Sequence, residues 1–317
     1  MIIQVFKKAV FIISILIIIV THSGCKKDAC GDCITNQPPG QQPVDSSRWV
    51  RLGNLPDEFF LWPDIEVNTE NFLLGIEREL FAISRKGNLW RYNAGTNTWS
   101  HVGSFSEDFG SAPVTFSIYG MGYCIGNGHC WQFNPATNQL TRKQDPPFYP
   151  VDAPLVIGHK AYLRTGDSNH LYAYDPAIDT YTQQNDPPDF GNNLYLLGYF
   201  VINDQGYYVG AYGDCWRYDA SLDQWQRRTS FPGIDPVYHA YPGVGFSLNN
   251  RGYLLNLNGV TQHLWQYDAS IDKWTITNDD YYGSGFKRVQ AVSLDSVAYL
   301  GLGSNDDFNA IDFWSYK

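Results

Sequence analysis

From residue 48 onward the chain is a succession of short apolar runs separated by polar, Gly- or Pro-bearing breaks. Runs of this length with turn residues between them predict β-strands, and no stretch carries a helical period. The runs follow a fixed order. First comes an apolar segment such as "VTFSI", "PLVIG", "YFVIN", "GFSLN" or "QAVSL". Next comes a small residue followed by Tyr, as in "GYCIGNG" at Gly122, "AYLRTG" at Ala161, "GYYVGAY" at Gly206, "GYLLNLN" at Gly252 and "AYLGLG" at Ala298; "LFAISRKG" at Leu80 takes this place once. Then comes a phrase that recurs almost verbatim: "LWRYNAGTNTW" at Leu89, "CWQFNPATNQL" at Cys130, "LYAYDPAIDTY" at Leu171, "CWRYDASLDQW" at Cys215 and "LWQYDASIDKW" at Leu264. A sixth copy, "FWSYK" at Phe313, is cut short by the end of the chain.

The first aromatic of each phrase falls at 90, 131, 172, 216, 265 and 314, so the spacings are 41, 41, 44, 49 and 49 residues. Four short strands per unit at this period predict one propeller blade, with strands A to D running from the axis outward. The phrase is then strand C, a turn and the start of strand D. Within it Trp265 and Tyr267 share a face, and Asp268 and Asp272 bracket the turn. A second large residue follows nine positions after the first, at Trp99, Leu140, Tyr181, Trp225 and Trp274. These rings are expected to be core, not ligand-stacking groups.

Trp314 has no such successor, and one D-like segment is left over at the other end, "RWVRLGNLP". Trp49 is followed by Leu55-Pro56, as Trp225 is by Phe231-Pro232. Residues 48–55 are therefore expected to pair with 312–316 and close blade six, which removes the edge an open ring would leave. The expected fold is all-β, a six-bladed β-propeller over residues 48–317, and a monomer.

Composition narrows the partners. Of 22 basic residues, Lys7 and Lys8 lie in the first 24 positions, which hold no acid, so the remainder carries 20 − 32 = −12 charges. Such a surface repels phosphate backbones and excludes nucleic acid as an expected partner. Residues 1–24 read as an export signal, with two lysines and then the apolar run Ala9 to Val20. "SGC" ending at Cys25 resembles a bacterial lipobox, in which the cysteine receives a lipid; His22 departs from the pattern. The resemblance implies attachment to a membrane of the cell envelope, most naturally the outer membrane and its surface. Residues 25–47, rich in Gln, Pro and Asp, read as a tether with a coil dimension of ~25 Å. Cys30 and Cys33 inside it suit a local disulfide. Cys124 and Cys130 stand symmetrically about Asn127 in a hairpin, which admits a cross-strand disulfide. Cys130 and Cys215 align with Leu89, Leu171, Leu264 and Phe313 and read as core thiols.

The strand-B Tyr, the strand-C Tyr-Asp and the Trp followed by a hydrophobic-Pro pair resemble kelch repeats, and the resemblance spans residues 48–317. Kelch architecture includes galactose oxidase, sialic acid mutarotases and pure interaction domains, so it does not fix an activity. Galactose oxidase holds copper with Tyr and His and a Cys-modified Tyr; no motif here carries those ligands over, and neither metal nor cofactor is expected. A mutarotase-like sugar enzyme needs a basic residue and an acid converging on the channel, for which Arg85, Lys86, Lys287 and Arg288 are the candidates.

Variable length is confined to the B–C and D–A loops, which in an antiparallel blade share one face, and binding is expected there. Their aromatics and carboxylates suit sugars or a protein partner. The candidate ligand-binding residues are Trp62, Tyr149, Tyr238, Tyr241, Tyr281 and Tyr282, read as exposed rings, with His170, His239 and His263. His129 also maps to this face, and four histidines from different blades raise the question of a shared metal. The expected function is a lipid-anchored binding or scaffold module for a glycan or protein ligand.

Overall fold

The computed structural model describes residues 48–59, 71–84, 86–110, 112–151, 154–166, 168–190, 196–234, 243–257, 262–285, 287–304 and 310–317. Cys25, Cys30, Cys33, Trp62, Arg85, Tyr238, His239 and Tyr241 lie outside the described residues, as do the signal and the tether. Residues 44–317 form one compact unit. After β1 (Trp49–Arg51), blade 1 consists of β2 (Phe72–Ile76), β3 (Glu79–Ile83), β4 (Asn88–Asn93) and β5 (Thr98–Ser104). Blade 2 is β6 (Val114–Ile118), β7 (Met121–Gly126), β8 (His129–Asn134) and β9 (Gln139–Arg142). Blade 3 is β10 (Leu155–Ile157), β11 (Lys160–Arg164), β12 (Leu171–Asp175) and β13 (Thr180–Gln184). Blade 4 is β14 (Leu196–Ile202), β15 (Gln205–Gly210), β16 (Cys215–Asp219) and β17 (Gln224–Arg228). Blade 5 is β18 (Val244–Leu248), β19 (Arg251–Leu255), β20 (Leu264–Asp268) and β21 (Lys273–Ile276). Blade 6 is β22 (Gln290–Leu294), β23 (Val297–Gly301) and β24 (Trp314–Tyr316), completed by β1. Each blade is an antiparallel sheet, each innermost strand lies beside that of the next blade, and β22 returns to β2. The molecule is a closed six-bladed β-propeller.

The expected seam is present. Trp49 pairs with Tyr316, Val50 with Ser315 and Arg51 with Trp314, and the amides of Leu52 and Leu55 continue the ladder to the carbonyls of Phe313 and Ile311. Asp279 locks it. Its carboxylate accepts from the Tyr316 hydroxyl at 2.8 Å and from Arg48 at 3.1 Å, and its carbonyl accepts from the Trp49 indole at 3.3 Å. The Arg48 guanidinium also lies over the Tyr316 ring, 4.5 Å from its centroid.

The core is divided into six layers, one between each pair of neighbouring blades. The repeated phrase builds them. A strand-A Phe stacks on the strand-B Tyr of its own blade, as Phe116 on Tyr123 and Phe246 on Tyr253. That Tyr meets the strand-C Tyr of the next blade edge-on, as Tyr207 meets Tyr267 at 5.4 Å. The strand-C Tyr then leans on its own strand-D aromatic, as Tyr267 on Trp274 at 4.8 Å. The small residue before the strand-B Tyr makes room for the preceding blade: a Cβ on Gly252 would sit 2.4 Å from the Phe200 ring.

Hydrogen bonds fasten the blades at the C–D turns. The first Asp or Asn of each turn accepts amides of the turn itself, as Asp268 does from Ser270 at 2.9 Å. The last adopts a left-handed φ, which Asn and Asp tolerate, and binds across the blade boundary. Asp272 accepts the Tyr267 hydroxyl at 2.6 Å and the Thr229 amide of blade 4 at 3.0 Å, while the Trp274 indole donates to the Thr229 carbonyl at 2.9 Å. Asp223 with Tyr218, Trp225 and Asn185 repeats the arrangement. The inner edges are also satisfied by side chains. Gln290 accepts from the amide of Leu73 and donates to the carbonyl of Asn71, and the Ser247 hydroxyl serves both the amide and the carbonyl of Val201.

The disulfide that the hairpin symmetry admits between Cys124 and Cys130 is not formed; both are free and buried. The hairpin register sets Cys130 opposite Ile125, so Cys124 points into the layer between blades 1 and 2 and Cys130 into that between blades 2 and 3. Burial pushes the Cys130 thiol up to about 11 and the Cys215 thiol up to about 12, as expected of core thiols.

Candidate functional site

The two rims of the ring are unlike. On one, the A–B turns are two residues long, and Tyr119-Gly120, Asn203-Asp204 and Asn249-Asn250 hold positive φ at both positions, the geometry that matches strand twist. Several of these turns touch their neighbours. Arg78 pairs with Asp295, Tyr119 stacks on His159 at 4.6 Å, and the Gly158 amide reaches Asp204. On the other rim, the B–C and D–A loops differ from blade to blade.

In five blades backbone bonds tie these two loops together. The Phe105 amide donates to Gly87, Val151 to Arg164, Phe231 to Gly213 and Tyr281 to Gln262, and Lys287 and Ser304 exchange backbone bonds. Three blades add a histidine–aspartate pair. His129 lies 3.3 Å from Asp145, His170 2.9 Å from Asp186 and His263 2.7 Å from Asp280. His129 opens strand C and His170 and His263 immediately precede it, and each aspartate follows strand D of its own blade. The histidines are therefore dispersed around the rim and do not converge, and among the described residues no group of His, Cys, Asp or Glu is arranged to hold a metal. In blade 2 Arg142 joins the pair and lies over the Trp131 ring at 4.9 Å. Its hydrogen bonds hold the Asp145 carboxyl down at about 2. Blade 1 has an amide in place of the histidine: Ser104 donates to Asn88 and Asn88 donates to Glu58 of the 3-10 turn Asp57–Phe59.

The candidate rings divide. Tyr149 is 77% and Tyr282 55% exposed, as expected, and Tyr212 of a B–C loop joins them at 51%. Tyr281 is corrected: it is 3% exposed, packed on Trp49 at 5.1 Å and Trp314 at 5.9 Å. The closing strand covers it, so it belongs to the seam. Lys287 lies in the backbone bridge to Ser304, and Lys86 and Arg288 are exposed.

Sequence reading passed over Arg164. Its side chain is 2% exposed at the end of β11, and its Nη1 donates to Asn169 at 3.3 Å. The signal was available: the same position in the other blades holds Ile83, Ile125, Val209, Leu255 and Gly301. A cation in that series is buried where five blades bury none, and burial of a guanidinium is costly unless its donors are met.

The fold and its two rims define the class, a six-bladed β-propeller. No family model matches the chain, and no curated protein matches it. Among solved structures, one titled "Structure of YjhT" is similar in fold, with a TM-score of 0.61 at 10% identity over 82% of this chain and 95% of that one. At that identity the likeness carries the architecture alone.

Proposed function

We propose that this chain is a kelch-type binding or scaffold module, held by a lipid on Cys25 in the bacterial envelope, that takes a glycan or protein ligand on its loop rim. The observation that carries the reading is the difference between the rims. One is uniform and knit by turn contacts; the other has loops of unequal length, rich in carboxylates in sequence, that leave Tyr149, Tyr212 and Tyr282 exposed. Such rings offer flat apolar faces with polar tips at little conformational cost. The kelch assignment is supported by the Tyr, Tyr-Asp and Trp positions, whose side chains form the inter-blade layers. The anchor is supported by the lipobox-like "SGC"; no helix among the described residues is long and apolar enough to cross a membrane.

Two experiments test the reading. A glycan array probed with the full chain, with and without Tyr149→Ala plus Tyr282→Ala, should show glycan signal that the double variant loses while its melting temperature holds. Retention of the signal by the double variant overturns the loop-rim assignment. Cys25→Ser should move the protein from the membrane to the soluble fraction; persistent attachment overturns the lipid anchor.

A further inference from the structure

Blades 1 and 4 carry the same side-chain frame with one change. In blade 1, β3 opens on Glu79, and Arg91, next to Trp90 on β4, pairs with it while lying over the Phe81 ring. In blade 4, β15 opens on Gln205, and Arg217, next to Trp216 on β16, stands opposite Tyr207 as Arg91 stands opposite Phe81. Glutamine in place of glutamate leaves Arg217 without the ion pair that Glu79 gives Arg91. Among the described residues its side chain donates from Nη2 to Gln226 at 2.7 Å. Its Nε and the Oε1 of Gln205 are both buried without a partner. Blades 3 and 5 instead open strand B on a cation, and each supplies the acid from strand C: Asp175 for Lys160 and Asp268 for Arg251.

Arg217 and Gln205 line a half-open cleft between blades 4 and 5 on the uniform rim, opposite the loop rim. Tyr207 belongs to its wall, and Asn203 and Asn250 of the two A–B turns flank its mouth. Across the cleft, Arg251 is held by Asp268 at 2.9 Å, and Asp268 is also capped by the Ser270 amide and hydroxyl. Asp219, opposite Gln205 in the register, turns its Oδ1 to the amide and hydroxyl of Ser221. Asp219 acts on Arg217 only through space. Among the described residues the Arg217 guanidinium thus makes no salt bridge, and its Nε stands beside an unpaired amide oxygen that can accept a hydroxyl.

We propose that this cleft is a binding site for a small hydroxylated monocarboxylate, of the sugar-acid class, whose carboxylate takes the place that Glu79 fills in blade 1. A planar carboxylate matches the donor fork of arginine. A single negative charge balances Arg217, since Arg251 is already neutralised. The asparagines, Ser270 and Gln205 favour a ligand with hydroxyls over a bare acid. The site is independent of the loop-rim reading and lies on the other face.

Titration calorimetry of the full chain at low salt tests this with D-glucuronate, acetate and D-glucose. Glucuronate should bind with a Kd on the order of 1 mM, acetate at least threefold more weakly, and glucose without measurable heat. Arg217→Gln should weaken glucuronate at least tenfold. Gln205→Glu is the decisive variant. It rebuilds the blade 1 pair inside blade 4, so it should abolish binding while its melting temperature stays at or above that of the parent. Tyr149→Ala, on the other rim, should bind glucuronate as the parent does. The proposal is overturned if glucuronate gives no heat, if glucose binds as well as glucuronate, or if Gln205→Glu binds like the parent.

Discussion

At the scale of single residues, the last aspartate of the C–D turns in blades 3, 4 and 5 does two things at once. Asp272 ends a turn through its left-handed backbone and clasps the preceding blade through its carboxylate. The first role is legible in sequence, because Asp at a turn boundary is local chemistry. The second is not, because the Thr229 partner lies 43 positions away. Removing one donor isolates the clasp: Tyr267→Phe should cost about 1–2 kcal/mol in urea unfolding with little change of slope. Burial works against the ionised form of Asp272 and Asp179, but the Tyr267 and Tyr174 hydroxyls, backbone amides and the nearby Arg228 and Lys143 outweigh it, so both pKa values fall below the ordinary range. Asp145 is depressed mainly by Arg142. A depressed folded pKa gives stability that is present above the unfolded value near 4 and lost as pH falls through the folded one. Urea midpoints should therefore be level from about pH 7 to 5 and drop steeply between about pH 4 and 2. A flat profile to pH 2 would show that these carboxylates carry no stabilising contacts. The histidine pairs were half legible. The rim was read correctly, but the recurring His-to-Asp separations of 16, 16 and 17 residues, which betray three local pairs, were not used.

At the scale of elements, the strand that closes blade six was legible because it was the one D-like segment without a C-like neighbour. Its energetic weight is testable by truncation. Deleting residues 1–52 removes β1, the Arg48 and Trp49 contacts to Asp279 and the cover of Tyr281, so the domain should melt far lower or self-associate through β24; deleting 1–44 should leave the melt unchanged. Equal melting temperatures for the two would contradict a stabilising seam. Trp265→Ala probes an ordinary strand-C position, where the indole meets Phe231 at 5.3 Å, and should cost about 3 kcal/mol. Burial of Tyr281 was illegible for a simple reason. It stands in a polar, Gly-bearing loop, and what covers it comes from the opposite end of the chain. The state of the two cysteines was open in sequence because symmetry about a turn centre does not fix which residues face each other; a one-place shift sends neighbours to opposite faces.

At the scale of the whole molecule, six layers divide the core, so a substitution in one layer should be felt mainly by two blades. The propeller was legible from its period, and so was the split between a uniform and a variable rim. The cleft between blades 4 and 5 was not, because it depends on comparing Gln205 with Glu79 at matched registers 126 positions apart (205 − 79). The β1–β24 seam also sets a timetable. Strands of blades 1 to 5 find their partners within a few dozen residues and pair early, whereas Arg48 and Lys317 meet across 269 positions. Until the final residues of the chain arrive, β23 presents an unclaimed edge that the β1 of another molecule has no chain with which to bridge. With β24 in place but β1 still free, the outer edge of β24 accepts a neighbour's β1 as readily as its own. Closure is therefore a race between a distant intramolecular strand and an identical one next door, and crowding decides it. Dilute refolding should give closed monomers and concentrated refolding exchanged dimers. The exchanged pair would hold two seams, each identical to the closed one, and be indistinguishable from the monomer blade by blade.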